Sequence, residues 1–113
     1  MKSKILALSK NEEFKSLLKQ NKISNKYVTF FFGYLDKKDN KKLNISFVTK
    51  KKIGNAVKRN KIKRRLRNIL NEAVKKISIK FEYSYLVIAK STMLNNEYKI
   101  IKETLFQDLK RIK

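Results

Sequence analysis

The feature that most constrains the fold is one uninterrupted apolar stripe at helical spacing in the second half of the chain. Its members recur three, four or one residue apart: Ile62, Leu66, Ile69, Leu70, Ala73, Val74 and Ile77. Such spacing predicts an amphipathic helix, starting near Ala56, that buries one side. The chain has no proline and only two glycines, so nothing breaks this helix or marks a linker. We therefore expect residues 1–113 to form a single domain.

Two further helices are predicted from their capping signals. Ser9 and Glu12 form a capping box, which predicts a helix over residues 10–20. Asn95 or Asn96 is expected to cap a last helix, whose apolar residues again recur at helical spacing.

Runs of aromatic and β-branched residues predict three strands, over residues 27–35, 43–49 and 83–89, and a short extra strand near 22–26. The polar turn at residues 36–42 predicts that the first two long strands pair as an antiparallel hairpin. The order α-β-β-α-β-α indicates an α+β fold, a two-layer sandwich of helices against a small mixed sheet.

The two faces of the predicted hairpin differ in polarity. One face of the first strand is almost entirely apolar and is expected to enter the core, with Val28, Phe30 and Phe32. The other face mixes aromatic, apolar and hydroxyl side chains, and it is formed by Tyr27, Phe31, Ser46 and Val48. Because side chains alternate along a strand, the second set predicts a semi-polar surface that a ligand can reach.

The net charge indicates a polyanionic partner. The chain carries 30 Lys and Arg against 9 Asp and Glu, a formal net charge of +21, yet 42% of its residues are apolar. That apolar fraction is too large for a disordered basic tail. A folded polycation of this kind is typical of nucleic-acid-binding proteins.

Several functional classes are excluded by composition. The chain has no cysteine and no histidine, so it has no disulfides, no thiol nucleophile and no histidine base or metal ligand. Its apolar runs are too short to span a bilayer, and its start has no clear signal peptide. We expect a cytoplasmic protein with no membrane partner, no small-molecule substrate, no organic cofactor and no metal site of its own.

Basic residues are concentrated where the long helix begins. Residues 50–67 hold ten basic residues and no acid, and four of the five arginines lie within residues 59–67. On a helical wheel, one polar ribbon lies beside the apolar stripe: Asn60, Lys63, Arg64 and Arg67, here called the cationic face. Arg65 falls on the opposite flank. An ordinary solvated helix face would carry acidic partners at i,i+4, so this pattern favours binding of phosphates.

The segment from Lys51 to Arg67 resembles the signature of the bacterial ribonuclease P protein family. The family pattern is Lys-Lys-x-Gly-Asn-Ala-Val-x-Arg-Asn-x-x-Lys-Arg-x-x-Arg, and every fixed position is matched over these seventeen residues. The length, the charge and an Asn-Glu-Glu-Phe sequence in the first helix also resemble the family. The resemblance implies a protein subunit of a ribonucleoprotein that removes the 5′ leader from precursor tRNA.

Within that resemblance, the catalyst is the RNA subunit working with Mg²⁺, and no catalytic residue is expected from the protein. The residues implied to bind the RNA subunit are Lys52, Asn55, Arg59, Asn60, Lys63, Arg64 and Arg67. The family also implies a left-handed crossover between parallel strands, against the usual right-handed rule.

The resemblance further implies that the precursor-tRNA leader binds in a groove between the first helix and the sheet. Phe14 matches a family aromatic there, and the semi-polar strand face adds the remaining candidates, Tyr27, Phe31, Ser46 and Val48. Gly33 stands where relatives often carry a large side chain, so Phe31 or Tyr34 would have to supply that stacking surface.

Two other interpretations compete with this one. A ribosomal or other structural RNA-binding protein, with no role in cleavage, would have the same composition, although not the seventeen-residue match. A DNA-binding basic helix is disfavoured, because the chain has no helix-turn-helix pair and no dimerising heptad.

Overall fold

The computed structural model describes residues 5–6, 8, 11–35 and 42–112. The helices are α1 (Asn11–Leu18), α2 (Ala56–Lys76) and α3 (Tyr98–Arg111). The strands are β1 (Ile5–Leu6), β2 (Asn21–Ser24), β3 (Val28–Gly33), β4 (Leu43–Val48) and β5 (Ser84–Ala89). Short 3₁₀ turns, Lys51–Ile53 and Ser91–Leu94, precede α2 and α3. Ser9 of the predicted capping box lies outside the described residues, as does the turn at 36–41.

The strands form one mixed sheet in the order β1-β4-β5-β3-β2. The predicted hairpin between β3 and β4 is wrong, because β5 lies between them, antiparallel to β3 and parallel to β4. β5 is buried along almost its whole length, which suits a strand paired on both edges. The alternation of β3 and β4 predicts which face each residue occupies, but it carries no information about the neighbouring strand.

β3 forms its hairpin with β2 instead, which confirms the short extra strand. The turn is fixed by Asn25, whose Oδ1 accepts hydrogen bonds from the backbone N–H groups of Tyr27 at 2.7 Å and Val28 at 2.9 Å. Asparagine favours such turns because its side chain reaches its own backbone two residues on.

The main core lies between the sheet and helices α2 and α3. The stripe on α2 is confirmed: Ile62, Leu66, Ile69, Leu70 and Ala73 are fully buried, and Val74 and Ile77 pack against them. Fully burying each large aliphatic side chain contributes roughly 1.5–3 kcal/mol, so this stripe holds α2 rigidly on the sheet.

A second, smaller core lies on the opposite face of the sheet, under α1. Its buried members are Leu8, Leu17 and Leu86. Helices therefore cover both faces of the sheet. The α+β class is confirmed, but the predicted two layers are wrong, because α1 adds a third layer on the face opposite α2 and α3. β4, α2 and β5 form a parallel crossover, whose left-handedness stays a prediction.

The start of α3 differs from the prediction. Its N-cap residue is Glu97, whose side chain makes no capping hydrogen bond. The Asn96 amide instead donates to the Thr92 carbonyl at 2.7 Å, within the preceding 3₁₀ turn. The expected capping asparagine is thus used one turn earlier.

Candidate nucleic-acid interface

The start of α2 is fixed by a glycine and an asparagine. Gly54 has φ +154°, and a Cβ there would lie 2.8 Å from Cδ of Lys58. Asn55 is the N-cap, with its Oδ1 accepting the N–H of Lys58 at 3.0 Å. This geometry turns the chain sharply from the basic 3₁₀ turn into the helix, as an N-cap asparagine favours.

The residues predicted to bind the RNA subunit lie together along the first three turns of α2 and the turn before it. Five of them are exposed, namely Lys52, Asn55, Asn60, Arg64 and Arg67, and two are half-buried, Arg59 and Lys63. Because the opposite side of α2 is buried in the core, the cationic face is presented on a rigid scaffold.

Within residues 11–35 and 42–112, no ion pair involves the cationic face. The ion pairs there join Glu72 to Lys76 and Lys102, and Asp108 to Arg111. All of these groups lie farther along α2 or on α3. The positive charge at the start of α2 is therefore not neutralised by the acidic residues that the structure describes, and it can attract an anion.

Arg59 adds an unsatisfied donor beside this face. Its Nε atom is buried and, among the described residues, has no hydrogen-bond partner. Leaving a buried donor unpaired costs about 1–3 kcal/mol. A phosphate oxygen is an acceptor of the charge and geometry that an arginine binds best.

Arg65 lies on the other flank of α2, as the helical wheel predicts. Its guanidinium donates to the carbonyl oxygens of Met93 at 3.1 Å and Asn96 at 3.3 Å. These bonds tie α2 to the turn before α3. The arginine-rich segment thus contains one structural arginine beside the exposed ones.

Three of the predicted groove residues come together where α1 packs on the sheet. Phe14, Phe31 and Val48 are half-buried and pack around Leu17 and Leu86. They present partly exposed apolar and aromatic surface on the face of the sheet opposite α2. This surface is called the groove below.

Two of the predicted groove residues have other roles. Tyr27 is 3% exposed and belongs to the main core, so its placement in the groove is wrong. It precedes β3 and lies in the β2–β3 turn, where strand alternation does not apply. The Ser46 hydroxyl does lie on the groove side, but it accepts the Leu8 N–H at 2.8 Å and donates to the Leu8 carbonyl at 3.4 Å.

One end of the groove is closed at Gly33, where the side chain of Gln20 covers the sheet. A Cβ at this position would collide with the side chain of Gln20, which lies directly over it. The Gln20 amide also bonds the backbone of Tyr34. The missing side chain therefore makes room for Gln20, and the next ring, Tyr34, lies outside the groove.

A basic cleft that sequence reasoning missed adjoins the groove at Ile88, which packs in the second core and also lines the cleft. The cleft has a volume of about 480 Å³, and its wall includes Thr29, Lys50, Lys52, Ile53, Ile88 and Lys90. Leu86, Ile88 and Lys90 alternate along and just past β5, so the period-2 pattern could have assigned all three to the face that carries Phe31. Lys52 borders the cleft as well as the start of α2.

Lys90 is held in place at this cleft. Its Nζ donates to the Ser24 hydroxyl at 3.0 Å and to the Asn25 carbonyl at 2.6 Å. The cleft thus combines one fixed ammonium group with the exposed side chains of Lys50 and Lys52.

Metal-ligating side chains are sparse in this region. Across the described part of the chain, no three His, Cys, Asp or Glu residues lie close enough together to hold a metal ion. In the same residues, no helix has the length and apolarity needed to cross a membrane.

Comparison with known proteins places these features in one family. The family model described as Ribonuclease P matches residues 3–113. The chain belongs to the ribonuclease P protein family. The chain is similar to the ribonuclease P protein component of Carboxydothermus hydrogenoformans, with 36% identity over 94% of this chain and 90% of that protein. A Bacillus cereus relative of the same name is 34% identical over 92% of this chain and 88% of its own length.

Solved ribonuclease P proteins have the same fold. The Staphylococcus aureus protein superposes with a TM-score of 0.76 and 26% identity, covering 94% of this chain and 93% of that one. The Thermotoga maritima protein gives a TM-score of 0.79 at 23% identity, over 96% and 98% of the two chains. Family membership connects the chain with a ribonuclease complex, an RNA partner and tRNA processing, and it disfavours the ribosomal and DNA-binding alternatives.

Proposed function

We propose that the chain is the protein subunit of a ribonuclease P ribonucleoprotein. It binds the catalytic RNA subunit through the cationic face of α2 and the 5′ leader of precursor tRNA through the groove and cleft. By holding both, it aids endonucleolytic removal of the leader. The observation that carries the proposal is the cationic face, which has no ion-pair partner within the described residues.

The geometry of α2 supports the first contact. The helix has 21 residues and so is about 30 Å long. Its exposed Arg64 and Arg67, with Asn60 and Lys63, lie one turn apart and follow a phosphate backbone without rearrangement. Arg59 is half-buried beside this face and adds its guanidinium charge. Binding here releases counterions from the RNA, which makes the affinity strongly dependent on salt.

The groove and cleft support the second contact. Phe14 and Phe31 offer aromatic surface, while Lys50, Lys52 and Lys90 supply positive charge in the adjoining cleft. Stacking surfaces beside a basic channel bind single strands with little sequence preference. That combination suits leaders of varied sequence.

The chemistry itself is assigned to the RNA subunit with Mg²⁺, on the family resemblance, in a cytoplasmic complex. The chain's own side chains bind and orient RNA in this proposal. They carry no step of the phosphodiester hydrolysis.

Reconstitution tests the proposal. A bacterial ribonuclease P RNA is assayed for cleavage of precursor tRNA at low Mg²⁺, with and without the full chain. The proposal predicts faster cleavage with the chain, and tighter binding of precursor than of mature tRNA by the holoenzyme. Equal binding of the two tRNAs, or cleavage by the purified chain alone, would contradict it.

A further inference from the structure

An exposed aromatic pair lies at the end of the sheet remote from Gly54. Tyr34, just after β3, is 64% exposed, and its ring centroid lies 4.8 Å from that of Tyr83, just before β5. The Tyr83 ring in turn lies 5.4 Å from Phe32 and 6.3 Å from Tyr85, both of which are buried. The exposed Tyr34 ring therefore rests on an aromatic cluster anchored in the main core.

The backbone of Tyr34 is held in place although the ring is exposed. The Gln20 side chain accepts the Tyr34 N–H at 3.1 Å and donates to the Tyr34 carbonyl at 3.1 Å. A hydrogen bond with Tyr83 holds the Tyr34 hydroxyl and raises its pKa above the ordinary value. An aromatic surface that is already ordered loses little conformational entropy when a ligand covers it.

The charge distribution indicates what covers this surface. The Lys80 ammonium lies 5.9 Å from the Tyr83 ring centroid, and among the residues that the structure describes the Glu82 carboxylate also lies near this pair. A second copy of the chain would bring another +21 charge to the same place, which repulsion disfavours. A nucleobase instead brings a flat π-face together with a phosphate that Lys80 can neutralise.

We propose that Tyr34 stacks against an unpaired nucleobase of the bound RNA, at a site separate from the groove. The inference rests on the proposed function and adds a third RNA contact to it. Phe31 and Tyr34 lie on opposite faces of the sheet, because the Tyr34 ring contacts Tyr83 on the side of the main core, whereas Phe31 packs in the second core under α1. Gln20 over Gly33 separates the two sites, so a base at Tyr34 cannot be one held by Phe31.

The base comes either from the leader beyond the groove or from an unpaired segment of the RNA subunit, since both present the same chemistry. Two binding measurements separate these sources. One is the affinity of the full chain for a bacterial ribonuclease P RNA. The other is the affinity of the reconstituted holoenzyme for precursor tRNAs with short and with long leaders.

The variants are Tyr34→Ala, Tyr34→Leu and Tyr34→Phe, with Ile100→Ala as the control. Ile100 is also a large exposed apolar residue, 47% exposed, on the outer side of α3. We expect Tyr34→Ala and Tyr34→Leu to weaken one of the two affinities about tenfold. Tyr34→Phe should retain binding because it keeps the ring, and Ile100→Ala should change neither affinity. Melting curves establish that each variant is folded.

A loss confined to long leaders identifies the leader as the source, and a loss toward the RNA subunit identifies that RNA. Wild-type affinity for both RNAs in Tyr34→Ala and Tyr34→Leu would overturn the inference and leave the proposed function intact. So would a wild-type dimer that Tyr34→Ala converts to monomer with RNA affinity unchanged, because the surface would then bind a second copy. If the wild-type chain binds neither RNA, the proposed function fails and the inference with it.

Discussion

The cationic face of α2 and the groove on the opposite side of the sheet differ in how their functional side chains are held. Arg64 and Arg67 project from a helix whose other side is buried, and they take no part in the core. Phe14 and Phe31 form part of the second core and also present surface to a ligand. Binding at the cationic face is therefore separable from folding, whereas the groove is coupled to the stability of α1.

The largest expected effect comes from a substitution that disrupts the packing under the groove and leaves α2 unchanged. Leu17 is fully buried under the groove, and Leu17→Ala should destabilise the protein by about 2–5 kcal/mol. Urea unfolding measures the loss. The neighbouring Leu18 is 47% exposed, so Leu18→Ala should change the free energy of unfolding by less than about 0.5 kcal/mol. Equal losses in the two variants would contradict the packing of α1.

The second prediction concerns the cationic face. Arg64→Ala or Arg67→Ala should weaken binding of the RNA subunit by about 1–3 kcal/mol, the usual value of a charged hydrogen bond. Their free energies of unfolding should match that of the wild type. Titration of a bacterial ribonuclease P RNA with each variant measures the affinity.

Arg65→Ala is the matched control for these variants. It removes two hydrogen bonds to Met93 and Asn96, so it should lower the free energy of unfolding by about 1 kcal/mol. Its loss of affinity for the RNA subunit should be smaller than the loss in Arg64→Ala or Arg67→Ala. Equal losses of affinity at Arg64, Arg65 and Arg67 would mean that general charge, and not the cationic face, binds the RNA.

A milder change tests the groove without unfolding α1. Phe14→Leu keeps an apolar side chain against Leu17 but removes the aromatic face. It should weaken holoenzyme binding of precursor tRNA by about 1 kcal/mol and leave mature tRNA binding unchanged. An equal loss for both tRNAs would show that Phe14 does not contact the leader.

The smallest expected effect is stabilisation by a simple anion. Sulfate bound at the start of α2 should stabilise the fold by about 0.4 kcal/mol when its concentration equals its Kd, a rise in Tm of about 2 °C. Chloride at equal ionic strength is the control. The shift should shrink in Arg59→Ala and persist in Phe14→Leu. A Tm unmoved by millimolar sulfate would count against an anion site there.

The same comparison explains what could be predicted from the sequence. The α2 helix and its cationic face depend on residues three and four apart, so a helical wheel places Ile62, Arg64 and Arg65 correctly. The position of β5 between β3 and β4 depends on partners about forty to sixty residues away, and no local pattern reports such pairing. The same limit hid the cleft, whose residues come from β3, β5 and the turn after β4.

The predictions for some individual side chains are wrong for local reasons. Strand alternation predicts the wrong side for Tyr27, because this residue lies in a turn, where Asn25 directs the backbone. From the sequence, Gly33 indicates only a missing stacking surface. Its role depends on the side chain of Gln20, which lies over it from just past the end of α1. Asn96 is a residue type that commonly caps helices, but its side-chain amide donates to the Thr92 carbonyl in the preceding 3₁₀ turn.

The most direct test of the cationic face is the salt dependence of its RNA affinity. The slope of log K against log salt concentration counts the phosphates that a protein neutralises. For binding of the RNA subunit, the magnitude of this slope should decrease by about one in Arg64→Ala and likewise by about one in Arg67→Ala. In Arg65→Ala it should stay at the wild-type value. A wild-type slope in both Arg64→Ala and Arg67→Ala would contradict the claim that these arginines hold RNA phosphates.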